Sequence, residues 1–175
     1  MSVVGLKTPW INSDGLSVQW PKDAGKVTIG GEVQSDNKHV TRLRLNLLDL
    51  STAATAASGN EVIISETGVI PAGAYIEKVT VLVTTETAGT NANLDLGFVK
   101  TDRSTELDFN GLLAAADAFN SGTDIGLLTE YVVGTTEAGA LIGTILAFDG
   151  IITASADTAD WTAGVLRIDI LWSIV

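Results

Sequence analysis

The sequence contains no cysteine. That excludes disulfides, thiolate metal sites and cysteine nucleophiles, and it suits a reducing compartment. A single histidine, His39, is present, so no Cys–His pair exists and no Ser–His–Asp set finds support. Basic residues are few: ten Lys and Arg face 21 Asp and Glu, for a net charge of −11. Nucleic acid demands a basic surface and is therefore not a main partner. The longest uncharged apolar run, 138–148, is too short and too glycine-rich to cross a bilayer. The opening MSVVGLKTPW has neither the basic n-region nor the apolar h-region of a signal peptide. No GxxxxGK[ST] or GxGxxG pattern occurs, so no phosphate cradle is expected.

What is present is a β pattern. A chain of 175 residues can bury roughly 70% of its unfolded surface, enough for one core without staples. Residues 70–99 read as two long strands joined as a hairpin. Ile76, Val79, Val81 and Val83 supply β-branched side chains to the first. In the second, Ala92, Leu94, Leu96 and Phe98 alternate with Asn91, Asn93, Asp95 and Gly97. That period of two sends the apolar set to a core and the polar set to water. Thr87, Ala88 and Gly89 are the expected turn.

Other segments extend the pattern. Leu43, Leu45 and Leu47 lie opposite Arg42, Arg44 and Asn46, with a bulge expected at Leu47–Leu48. Residues 61–69 form a short strand around Val62 and Ile64, and 125–133 another with Tyr131 and Val133 on one side. Residues 112–119 favour one or two helical turns capped by Asn110. The runs 141–148 and 151–156 are split by an Asp149–Gly150 turn. The last strand places Leu166, Ile168, Ile170, Trp172 and Ile174 on one face, and its apolar character marks it as central in its sheet. Trp161–Thr162–Ala163–Gly164 before it echoes Thr87–Ala88–Gly89, a hint of duplication. Seven or eight short strands with little helix give an all-β fold: an antiparallel β-sandwich, jelly-roll-like, with a partly open barrel as the alternative.

Residues 1–38 read as an extended N-terminal arm ahead of a β-sandwich domain spanning 39–175. Pro9 and Pro21 impose bends on the arm, and Trp10 and Trp20 need burial. Either they pack on the domain or they anchor the arm to a partner. Residues 1–44 hold six of the ten basic residues: Lys7, Lys22, Lys26, Lys38, Arg42 and Arg44. Against them stand Asp14, Asp23, Glu32 and Asp36, leaving this segment at +2. The other 131 residues carry 17 acidic and four basic side chains, a net of −13. One reading is an ordinary leader on an acidic domain; the other is a basic arm that docks on something acidic.

No catalytic constellation emerges, and no cofactor or metal is assigned. His39 reads as a surface or turn residue. Asp95, Asp102, Glu106 and Asp108 lie close in sequence, yet they lack the D-x-[DN]-x-[DN]-G order of a calcium loop and fit a solvated acidic loop. The chain is not expected to be an enzyme.

From Val40 onward, LDL, IPAGAYIEKVTVLVTT, NLDLGFV, TDRSTELDFNGLLAAA, GALIGTIL and a final strand opened by TAG occur in series. This series resembles small β-rich virion proteins of tailed bacteriophages, commonly encoded near the major capsid protein. The resemblance covers about residues 40–175 and leaves out the arm. It implies a head decoration (cement) protein on the capsid exterior, assembled in the host cytoplasm. The implied partners are the major capsid protein and sister subunits of a dimer or trimer, with no direct nucleic acid and no membrane. On that reading Trp10, Trp20, Lys22, Lys26, Arg42 and Arg44 contact the capsid or a sister subunit, and deleting residues 2–38 should abolish capsid association. A different class is a carbohydrate- or receptor-binding sandwich on a tail fibre or spike, with Trp161 as the residue that stacks on sugar and Trp172 as packing.

Overall fold

The computed structural model describes residues 10–11, 17–18, 38–50, 62–64, 69–102, 105–119 and 122–175. Two compact units divide the chain, Met1–Gly31 and Glu32–Val175. In the first, β1 (Trp10–Ile11) pairs antiparallel with β2 (Ser17–Val18), Trp10 opposite Val18 and Ile11 opposite Ser17. Trp20, Lys22 and Lys26 lie outside the described residues.

The second unit consists of two antiparallel sheets around one core. One sheet has four strands in the order β3 (Lys38–Asn46), β11 (Trp161–Ile174), β6 (Ala74–Gly89), β9 (Leu128–Tyr131). The other runs β4 (Val62–Ile63), β10 (Gly150–Asp157), β7 (Asn93–Lys100), β8 (Glu106–Ala116), with β5 (Val69–Ile70) also paired to β10. Leu166, Ile168 and Ile170 of β11 meet Val79, Val81 and Val83 of β6 in the same core as Leu94, Leu96 and Phe98 of β7. Each large aliphatic buried in this way contributes about 1.5–3 kcal/mol relative to exposure. The chain is an all-β sandwich, and β11 is central in its sheet as its apolar faces required.

The hairpin does not form. Both strands exist, but β6 pairs with β11 and β9 whereas β7 pairs with β10 and β8, so residues 90–92 carry the chain from one sheet to the other. Asn91 takes the left-handed conformation in that crossing, φ 56°. Thr87, Ala88 and Gly89 remain inside β6. Gly89 lies opposite Trp161 and Ala88 opposite Ala163, so the two look-alike segments pair with each other.

The outer side of β7 is also dry. Asp95 is only 3% exposed, although alternation assigned it to water. The cause is β8, whose backbone at Asp108–Phe109 passes so close that a Cβ on Gly97 would lie 2.0 Å from the Asp108 carbonyl oxygen. Of the residues expected to turn helical, 112–116 are strand and 118–119 a turn, with Asn110 in mid-strand rather than at a cap. Ala and Leu propensity yields to pairing. Beyond β7, β8 bonds residues 137–141 through Ala114 N to Glu137 O (3.0 Å), Gly139 N to Leu112 O (3.0 Å) and Leu141 N to Gly111 O (2.8 Å).

The run 141–148 is a series of turns rather than a strand. Its backbone joins β6 through Gly143 N to Ile76 O and Leu146 N to Ala74 O, both 2.8 Å. Residues 137–146 thereby fasten β8 of one sheet to β6 of the other. The irregularity at Leu47–Leu48 is a 3-10 turn over Leu47–Asp49, with the Asn46 side chain accepting from Leu48 N. Beyond β9 the chain turns, leaving Tyr131 buried and Val133 exposed.

Candidate functional site

Alternation along β3 buries Leu45 and turns Lys38, Val40, Arg42 and Arg44 outward. The register continues that outer face across the sheet. Arg42, Asp169, Thr80 and Glu130 form one row; Arg44, Arg167, Leu82 and Leu128 form the next. Val40, Leu171 and Lys78 form a third. Next to it the register slips: Leu171 faces Lys78 but Trp172 faces Ile76, leaving Glu77 as the extra residue of a bulge.

Ion pairs knit this face together. Arg42 donates from Nε to Asp169 Oδ1 (2.6 Å) and from Nη2 to Asp169 Oδ2 (3.0 Å). Those bonds, with the carboxylate's charge, hold the Arg42 proton more tightly than usual. Arg167 Nε lies 3.3 Å from the same Asp169 Oδ2. Lys38 reaches Glu77 at 3.0 Å and Lys78 reaches Glu130 at 2.6 Å. Arg44 has no ion-pair partner among the described residues. Exposed pairs of this kind add little stability, and their consequence is to fix where the charges stand.

Five of the chain's ten cations (Lys38, Arg42, Arg44, Lys78 and Arg167) thus sit on one sheet face with three carboxylates. The molecule as a whole is at −11. An open depression of about 370 Å³ lies there, lined by Arg42, Leu43, Arg44, Thr84 and Arg167. Leu128 and Val40 add exposed apolar surface beside it. Guanidinium groups placed in this way are suited to hold carboxylates.

Of the residues singled out in the sequence, Arg42 and Arg44 belong to this face, as part of the sandwich and not of the leader. Trp10 is placed only by its backbone in β1. Lys78 and Arg167 went unnoticed in the sequence. Their signal was available, since they are two of only four cations beyond residue 44 and Arg167 alternates with core residues of β11.

Other candidates resolve into structure. Trp161 is buried, and its Nε1 donates to the Phe119 carbonyl at 3.1 Å, so it offers no surface for a sugar. Trp172 stacks on His39 across β11 and β3, ring centroids 4.2 Å apart, and donates to Thr41 Oγ1 at 2.9 Å. His39 is thus half-buried in a strand rather than in a turn. Asp102 accepts from Thr105 N (2.9 Å) and Thr105 Oγ1 (2.7 Å), closing its own turn. Among the described residues no group of three or more His, Asp or Glu is placed to share a metal ion. Burial, and then the neighbouring Asp117, pushes the Glu137 carboxyl up; burial with both carboxylates does the same to the Tyr131 hydroxyl.

No protein-family model and no curated protein matches the sequence. In three dimensions the chain is similar to a chain in the capsid of Ralstonia phage GP4. The TM-score is 0.52 at 15% identity, over 83% of this chain and 89% of that one. A chain in the acidic stable capsid structure of Helicobacter pylori bacteriophage KHP30 gives a TM-score of 0.44 at 13% identity, over 81% of this chain and 90% of that one. A chain in the capsid asymmetric unit of cyanophage Pam1 gives 0.43 at 13% identity, over 96% and 100%. The GP4 likeness establishes a shared fold over 83% of this chain and 89% of that one.

Proposed function

We propose that this chain is a bacteriophage head decoration (cement) protein that binds the exterior of the assembled capsid lattice and stabilises it. The observation that carries this reading is the fold shared with a capsid chain over 83% of this molecule. The role is structural. Its partners are the major capsid protein and sister subunits in a dimer or trimer, assembled in the host cytoplasm. Contacts come from Trp10, Trp20, Lys22 and Lys26 of the leader and from Arg42 and Arg44 on β3.

Binding the finished lattice but not its free subunits stabilises by mass action, and the effect multiplies over many copies. The test is co-sedimentation of the purified protein with expanded capsids assembled without it. Saturable binding to expanded shells, weak on unexpanded ones, is expected. Absence of binding to either shell overturns the role. Trp161, the sugar-stacking residue expected of a tail module, is inside the core.

A further inference from the structure

We propose that the Arg44–Arg167 depression on the outer face of the four-stranded sheet is one half of a head-to-tail contact between copies of this chain, receiving carboxylates from the acidic surface of a second copy. The inference rests on the homo-oligomer in the reading above and does not need the capsid.

The demand for anions on this face is unmet. Arg44 and Arg167 stand directly opposite each other in the β3–β11 register. Like charges in that position destabilise a sheet. One carboxylate, Asp169, serves the cluster, and two hydrogen bonds commit it to Arg42 while its Oδ2 only reaches Arg167 at 3.3 Å. Arg44 is left without an ionic partner among the described residues. A planar guanidinium pair is suited to clamp incoming carboxylates. Leu82 continues the row to Leu128, which is 54% exposed and supplies an apolar border for a docking partner.

The charge of the rest of the chain identifies the occupant. Residues 45–175 hold 17 acidic side chains and only four basic ones, two of which, Lys78 and Arg167, already belong to this face. Apart from Glu77, Glu130 and Asp169 of this face and the buried Asp95, that segment holds 13 carboxylates against only Lys100 and Arg103. A second copy therefore offers the complementary charge from nearly any approach other than the same face, where arginine would meet arginine. A head-to-tail contact joins two different surfaces and is heterologous; a rotation that closes gives a ring, with a trimer as the smallest, and one that does not gives a filament. Charge attraction across it also speeds encounter and weakens with salt.

Sedimentation velocity of the full chain tests this at about 50 mM and about 500 mM salt, on either side of a Debye length of ~10 Å. A ring at low salt that dissociates at high salt is expected. Arg44→Glu with Arg167→Glu should be monomeric at both, with an unchanged circular dichroism spectrum. Arg44→Ala alone removes a like-charge pair without introducing a new charge. It should fold normally and weaken association about tenfold, so the conclusion does not hang on the double variant. A wild-type monomer at low salt, a two-fold symmetric dimer, or an oligomer indifferent to these substitutions overturns the proposal. If the double variant keeps its oligomer but loses capsids, the depression faces the lattice and the proposal is again wrong. Decoration by a wild-type monomer would leave the cement role standing and remove this inference; a salt-sensitive ring that ignores capsids would do the reverse.

Discussion

At the scale of single residues, the covered side of β7 is the most demanding place in the molecule. A methyl group on Gly97 would lie 2.0 Å from the Asp108 oxygen and 2.2 Å from the Phe109 carbonyl carbon, and those are backbone atoms that no rotamer change can move. Gly97→Ala should therefore cost about 3 kcal/mol or more, at the upper end of overpacking, in chemical denaturation. A loss below about 1 kcal/mol would mean that β8 does not press on β7 as described. Two residues away, Asp95 Oδ1 accepts from Ala115 N at 2.6 Å. Burial, first of all, pushes the Asp95 carboxyl above its usual range; the charge of Asp157 adds to this and the hydrogen bond opposes it. The folded chain then holds the Asp95 proton more readily than the unfolded one. The associated stability is full below the unfolded value near 3.8 and drains away as pH rises through the higher folded value. Denaturation curves of wild type and Asp95→Asn between about pH 3 and about pH 7 isolate this site, within the range where carboxylates titrate. The stability of wild type relative to the variant should fall as pH rises. A flat or rising difference would contradict the assignment.

At the scale of elements, the crossing between β6 and β7 shows what periodicity can and cannot specify. Val79, Val81 and Val83 on one strand and Leu94, Leu96 and Phe98 on the other marked both strands and their buried faces. The same alternation serves a hairpin, where strands pair edge to edge, and a crossing, where their apolar faces meet across a core. Nothing in a period of two separates these cases. For β8 the local signal pointed the wrong way, because its pairing partners lie at 94–99 and 137–141, beyond the reach of propensity. The outward arginines of β3 were legible from alternation alone. Their grouping with Arg167 and Lys78 required the order β3-β11-β6, which only the fold supplies. Trp161 was misread for a related reason: its position before a strand resembled an exposed turn. It sits at the head of β11 in one sheet and bonds Phe119, just past β8 of the other, and the Phe119 ring in turn meets Tyr131 edge-on at 6.5 Å. Trp161 thus ties the two sheets. Trp161→Ala should cost about 3–5 kcal/mol, as large aromatic truncations do. Trp161→Phe keeps most of the packing but strips the Phe119 carbonyl of its donor, and should cost about 1–3 kcal/mol. A negligible loss for Trp161→Phe beside a large one for Trp161→Ala would show that packing alone matters there.

At the scale of the whole molecule, charge and architecture divide the proposed contacts between two surfaces. Arg42 and Arg44 travel with the sandwich because β3 is bonded along its length to β11. Trp10 lies in the other compact unit, Met1–Gly31, to whose sequence range Trp20, Lys22 and Lys26 also belong. If the arginine face engages a sister subunit, the leader is left to engage the lattice, and the two activities become separable. Removing residues 2–31 tests this while sparing Lys38 and its bond to Glu77. Capsid association should be abolished in co-sedimentation, because a ring joins several leaders and loses their combined avidity, worth about 10²–10⁴-fold, in one step. The truncated protein should retain the wild-type thermal midpoint and the salt-sensitive ring. Full decoration by the truncated chain would place the lattice contact on the sandwich, and loss of the ring with the leader would show that the leader joins sister subunits. Each outcome assigns the leader a different duty, and only the first leaves the arginine face as the seam between subunits and the leader as the tether to the shell.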